Sequence, residues 1–335
     1  MRSPSPLHPM LRSVLALALA AAFGACGGGE GPLDPASEPT AEPSAQSAAA
    51  TPMPAEGLAA LATSERIAFG SSGPLSSVWK MDPLGSQRAP LFTQASGAHA
   101  PAWSWDNESV AMVRPRVSNG VTHTDILVMN ADGTNQHWAR SQASVWDFDD
   151  PSWSPNGSRI VMTVYVAGTP ALGWMEPATG KAGLFWLPGG GGVLGTRPSF
   201  NKAGTKILYI GQKGNTIEQI NPDGSGRTVL ISATVKLDYP SYSPDGTRIA
   251  YEKGPAGGNT DIFVRNLTKG MTARLTWSPA TDGHPSWSPD GVRIAFMSTR
   301  IGQRQVYTMT AATGGDVLRL SKDAYYAEYD PAWTH

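Results

Sequence analysis

Pro285-Ser286-Trp287-Ser288-Pro289-Asp290-Gly291, followed by Val292-Arg293-Ile294-Ala295-Phe296-Met297, is the stretch on which the fold turns. Proline presets the second position of a tight turn, aspartate bonds locally to backbone, and glycine accepts the positive φ that closes a hairpin. The aromatic-bearing run before the turn and the apolar run after it therefore read as two antiparallel strands. Residues 305–309 supply a third strand, and residues 317–321, after the turn Ala312-Thr313-Gly314-Gly315, a fourth. Four short strands in about 45 residues make one blade of a β-propeller.

The opening motif returns six times, beginning at Pro101, Pro151, Pro198, Pro240, Pro285 and Pro331, at intervals of 50, 47, 42, 45 and 46 residues. A period in this range marks one supersecondary unit stacked on copies of itself. Some copies depart from the pattern. Ser104-Trp105-Asp106-Asn107-Glu108 lacks the proline–glycine turn, Asn201-Lys202-Ala203-Gly204 replaces the usual hairpin, and Gly189 to Gly192 is an inserted run that reads as a flexible loop.

The two ends of the repeat region fix the blade number. Residues 66–69, 77–81 and 89–93 read as strands two to four of a blade that lacks its first strand. Pro331-Ala332-Trp333-Thr334-His335 is a first strand with nothing after it. Each leaves an unpaired edge that the other satisfies, and closure of a ring removes such edges. The expected fold is all-β: a six-bladed propeller of four-stranded antiparallel blades over residues 64–335, with the C-terminal strand closing the N-terminal blade. A proline opening each innermost strand fits, because the channel-facing edge needs no N–H for the ladder. Trp103, Trp153, Trp287 and Trp333 hold equivalent repeat positions and are expected to pack between blades.

Residues 1–25 form a separate object. Arg2 and Arg12 precede an apolar run too short to span a bilayer, and the run ends at Phe23-Gly24-Ala25-Cys26. This resembles a bacterial lipoprotein signal, which implies lipidation of Cys26, the only cysteine, and a membrane anchor through it. Residues 26–63, with Pro32, Pro35, Pro39, Pro43, Pro52 and Pro54 among alanine, serine and glutamate, hold nothing that can bury a core and read as a solvated tether. At ~5–6 Å × √n such a tether lifts the domain roughly 30 Å from the membrane. Removing Arg2 and Arg12 leaves 24 basic against 27 acidic residues, a net charge of −3. With no basic run either, the sequence gives no support for nucleic-acid binding.

The proline–aromatic–serine–proline–aspartate–glycine signature resembles the repeats of TolB-like, or WD-like, propellers, most closely at residues 240–251 and 285–297. The resemblance implies a propeller of the bacterial cell envelope, on the periplasmic face or the cell surface, with a protein or peptide as partner. The same repeats also occur as substrate-filtering domains of prolyl-oligopeptidase-type peptidases, so fold alone does not name the function. TolB carries an α/β domain ahead of its propeller where this chain has the tether.

Catalytic motifs are missing: no G-x-S-x-G elbow, H-E-x-x-H, Walker loop or dinucleotide fingerprint follows a strand. One constellation remains. The residues just before the six prolines are Ala100, Asp150, Arg197, Tyr239, His284 and Asp330, and six equivalent strand starts should crowd around one mouth of the channel. With His99, Asp149, Asp238, Asp282 and Glu328 close by, six carboxylates and two histidines are expected near that rim. Three roles are open to them: satisfying loop N–H groups, binding a partner, or holding a divalent cation. Two functions compete: a non-enzymatic, monomeric, membrane-tethered binding propeller without a cofactor, and a metal-assisted glycan hydrolase or lyase at the rim.

Overall fold

A computed structural model describes residues 65–72, 77–93, 97–139, 146–321 and 326–335. Cys26, the segment 1–25 and the tether 26–63 lie outside them. The described residues form six four-stranded antiparallel sheets, and no helix occurs among them. In five sheets, numbered blades two to six in chain order, the strands follow chain order from the innermost outwards. In the sixth, Glu328–Trp333 pairs with Ile67–Ser71 and completes the N-terminal blade, with Ile67 opposite Trp333 and Ala68 opposite Ala332. Thr334 and Arg66 exchange two further bonds there, at 2.8 and 3.0 Å. The ring closes through its C-terminal strand, as the repeat pattern predicts.

The hairpin chemistry holds where the sequence departs from the motif. In blade six Ser288 Oγ donates to Asp290 Oδ1 at 2.5 Å, that oxygen accepts the Val292 N–H, and the Gly291 N–H returns to the Ser288 carbonyl at 2.9 Å. In blade two Asn107 takes the glycine's place at φ 62°, a conformation asparagine tolerates, and its N–H reaches the Ser104 carbonyl at 2.9 Å. The glycine run of blade three is a built turn: the Leu187 N–H donates to the Gly191 carbonyl, and Val193 is buried after it, bonded to Phe185 and Leu172.

The recurring tryptophans do more than pack. Trp103, Trp153 and Trp287 are buried, and each indole N–H donates to a carbonyl of the preceding blade, Ala332, Ala102 and Ser241 respectively, at 3.1–3.2 Å. A large apolar surface and an inter-blade hydrogen bond thus come from one side chain. Phe200 and Tyr242 hold the position in blades four and five; the Tyr242 hydroxyl donates to Gln219 Oε1 of the preceding blade at 3.0 Å, so it too bridges two blades.

Each innermost strand is broken at the same point. Pairing with the second strand shifts register between His99 and Ala102, Asp149 and Ser152, Thr196 and Ser199, Asp238 and Ser241, and Gly283 and Ser286. In the closing blade the shift falls opposite Ala68 and Gly70. The residue before the proline is left-handed in all six blades, with φ between 47° and 55°. Non-glycine residues rarely adopt this conformation, and a bulge of this kind re-aims its side chain. Six side chains are thereby turned out of the strand alternation into the channel.

Candidate functional site

Those six side chains belong to Ala100, Asp150, Arg197, Tyr239, His284 and Asp330, and all six line one cavity of about 190 Å³ in the channel. The prolines that follow them line it as well, together with Trp103, Trp153 and Trp333. Five of the six are joined in a belt. Arg197 Nη1 donates to Asp150 Oδ1 at 2.8 Å, and Arg197 Nε donates to Asp238. The Arg197 guanidinium lies over the Tyr239 ring at 3.9 Å, and Tyr239 stacks on His284 with centroids 3.5 Å apart. His284 Nδ1 sits 2.5 Å from Asp330 Oδ1, and Asp330 Oδ2 accepts the Ala100 N–H at 3.2 Å.

The remaining expected residues divide into two groups. His99 and Asp149 stand beside the belt, Nε2 to Oδ1 at 3.4 Å, both about a third exposed. Asp238 is buried between Arg197 and Lys236, the latter 2.5 Å away. Asp282 and Glu328, one residue earlier in the strand than the positions of His99, Asp149 and Asp238, do not join the cavity wall. Both are fully buried in ion pairs within the sheets: Asp282 with Arg300 at 3.0 Å, Glu328 with Arg88 and the Ser321 hydroxyl. The expected crowd of six carboxylates is therefore four at the belt and two in the scaffold.

Three contributors carry no motif. Thr163, fully buried on the second strand of blade three, donates its hydroxyl to Asp150 Oδ2 and accepts the Arg197 N–H, both at 3.0 Å. Tyr165, two residues on, has its hydroxyl pKa raised by burial and by Asp149 and Asp150. Glu252 fills the space left by Gly283, where a Cβ would lie 2.1 Å from Glu252 Oε2. Burial raises the Glu252 carboxyl, with His284 opposing. The one signal for Glu252 in the sequence is the glycine itself, at a position where the other blades carry side chains.

Electrostatics separates the belt carboxylates. Burial pushes Asp150 up to about 6, against the pull of Arg197 and with help from Asp149. Burial works on Asp330 in the same direction, but His284, His99 and the Ala100 N–H outweigh it and leave that carboxyl below its ordinary value. Burial opposes the charged form of His99, yet Asp149, the Gly97 carbonyl and Asp330 prevail and hold the imidazole at about 9. A histidine raised in this way stabilises the fold fully below its ordinary value of 6.5, and that contribution is lost as pH rises towards 9. The melting temperature is expected to fall across that window, and His99→Gln to flatten the fall. Calorimetry from neutral to alkaline pH checks it; an unchanged slope in the variant would assign the effect elsewhere.

A metal-assisted reaction requires several ligands on one ion. Among the described residues no three His, Cys, Asp or Glu side chains group in that way. The arrangement is instead a mixed polar and aromatic collar around an apolar-walled hole, suited to holding a side chain by charge and stacking.

Comparison with known proteins agrees with the architecture. The TolB beta propeller domain profile matches residues 238–335. A TolB homolog from Chlorobium luteolum is 32% identical over 131 residues, 36% of this chain, and the match spans only about a quarter (27%) of that relative's length. The crystal structure of TolB from Acinetobacter baumannii superposes with a TM-score of 0.67 at 18% identity, covering 84% of this chain and 69% of that one. Putative TolB from Agrobacterium tumefaciens gives 0.59 at 19% identity, over 77% and 88%. At such identities these structures speak for fold alone. With the signature recurring around the ring of six sheets and the sequence match over residues 238–335, this chain has the fold and the repeat pattern of a TolB-like β-propeller.

Proposed function

We propose that the protein is a non-enzymatic propeller, tethered in the bacterial cell envelope, that binds a protein or peptide partner at the channel mouth bearing the belt. One observation carries this reading. Six equivalent backbone positions, all left-handed, aim six largely different side chains into one cavity while the scaffold around them repeats. Side chains that vary on a constant frame point to recognition. The lipoprotein-like sequence ending at Cys26 supports anchoring by lipid, on the periplasmic face or the cell surface.

Crosslinking in whole envelopes followed by mass spectrometry tests it. Tyr239→Ala removes the ring stacked between Arg197 and His284 and is expected to abolish crosslinking to the partner, while Lys202→Ala, at the opposite opening of the channel, leaves it intact. Equal crosslinking by a folded Tyr239→Ala protein refutes this mouth as the site. Cys26→Ala is expected to release the protein into the soluble fraction; unchanged membrane association overturns the anchor. Calorimetric uptake of calcium, manganese or zinc at the mouth would instead revive the metal-assisted alternative.

A further inference from the structure

The belt is not closed. From Asp150 through Arg197, Tyr239 and His284 to Asp330, each side chain touches the next. The sixth position belongs to Ala100, whose side chain ends at Cβ. One sector of the collar is therefore open, and carboxylates border it on both sides. Asp330 reaches into it to accept the Ala100 N–H, while Asp150 is held from behind by Thr163. The wall beneath is apolar, with Pro101 and Pro151 lining the cavity.

We propose that this opening receives a single primary ammonium group, the side chain of a lysine on the partner, between Asp150 and Asp330 with its methylene stem along Pro101 and Pro151. The inference rests on the partner-binding reading of the mouth and names the group that the mouth selects. An ammonium is compact and can share its three donors between two carboxylates across a narrow gap, whereas a guanidinium is a larger planar fork whose donors lie in one plane. Arg197 already fills the guanidinium role in the belt, bridging Asp150 and Asp238. Asp150 also remains short of positive charge, since Arg197 does not offset its burial, so a second cation beside it is favoured. The stem gains by leaving water along the prolines.

The backbone supplies an internal test. Five blades carry Asp, Arg, Tyr, His and Asp at the same left-handed position, so a long side chain is compatible with the conformation of Ala100. Ala100→Lys therefore places an ammonium in the opening from within.

The experiment is a titration of the intact protein with Nα-acetyl-lysine amide, its norleucine analogue and its arginine analogue, followed on the indole N–H signals of Trp103 and Trp153. The lysine derivative is expected to shift those signals, the norleucine analogue to leave them unmoved, and the arginine analogue to bind more weakly. Asp150→Asn is expected to weaken lysine binding about tenfold, as loss of a charge-assisted hydrogen bond does. Ala100→Lys should abolish it while raising the melting temperature. The inference is overturned if norleucine binds as well as lysine, if no lysine binding is detected, if arginine binds better, or if folded Asp150→Asn and Ala100→Lys proteins bind lysine unchanged. Should Ala100→Lys leave partner crosslinking intact while Tyr239→Ala abolishes it, the mouth remains the binding site and only the ammonium assignment falls.

Discussion

Trp333→Ala is expected to lower the melting temperature by about 10 °C. Removing a buried tryptophan costs about 3–5 kcal/mol, and a domain of this size loses roughly 2–4 °C per kcal/mol. Trp333 is 2% exposed, packs in the cluster of Ile67, Phe69, Met81 and Leu320, and donates its indole N–H to Glu65 Oε2 at 2.9 Å. It also lies in the strand that shuts the ring, so the cavity opens at the seam between the two ends of the fold. Trp333→Phe keeps most of the apolar area and should lose less than half as much. A thermal melt followed by circular dichroism measures both; an alanine variant that melts within a degree or two of the parent would show that the seam contributes little to stability.

Arg197→Met is the second large effect, and its origin is electrostatic. The guanidinium serves two carboxylates at once, Asp150 and Asp238, both mostly buried. Removing one partner of a buried charge group typically costs about 3–5 kcal/mol, because the remaining charge stays desolvated and unpaired. Asp150 then loses the main influence holding its carboxyl down and rises further above its ordinary range. An acid raised in the folded state is penalised when ionised, so the variant should regain stability as pH falls and Asp150 takes up its proton. Arg197→Met/Asp150→Asn should recover part of the loss at neutral pH. Denaturant unfolding at neutral and mildly acidic pH decides the matter; a deficit that is the same at both, or undiminished in the double variant, would point to packing instead of charge.

The architecture was legible because its determinants are local and repeated. The turn residues of Ser288-Pro289-Asp290-Gly291 act within four residues, and six copies average out departures such as Asn107. Ring closure could be read from two incomplete blades. The belt was legible only in its outline. Position before the proline gave the six side chains that meet, but their bonding depends on approach between blades, which spacing does not encode. The stack of Tyr239 on His284 and the Thr163 contacts are of that kind. The left-handed bulge escaped for a related reason: nothing in Ala100, Arg197 or Tyr239 favours positive φ, and the conformation is imposed by the ring. Asp282 and Glu328 show the limit of counting along a strand. Next to the channel in sequence, they project instead into the sheets, where Arg300 and Arg88 await them.

The seam between Ile67–Ser71 and Glu328–Trp333 has a consequence for self-association. If it parts, each molecule presents two different sticky edges, complementary to one another and not to themselves. Two such molecules join head to tail, with no twofold axis between them, and the pair still carries one free edge of each kind. Growth can continue until an enlarged circle shuts or a filament results. Brief heating at high concentration should therefore trap strand-exchanged multimers that persist on cooling, whereas dilution during the same treatment returns single rings.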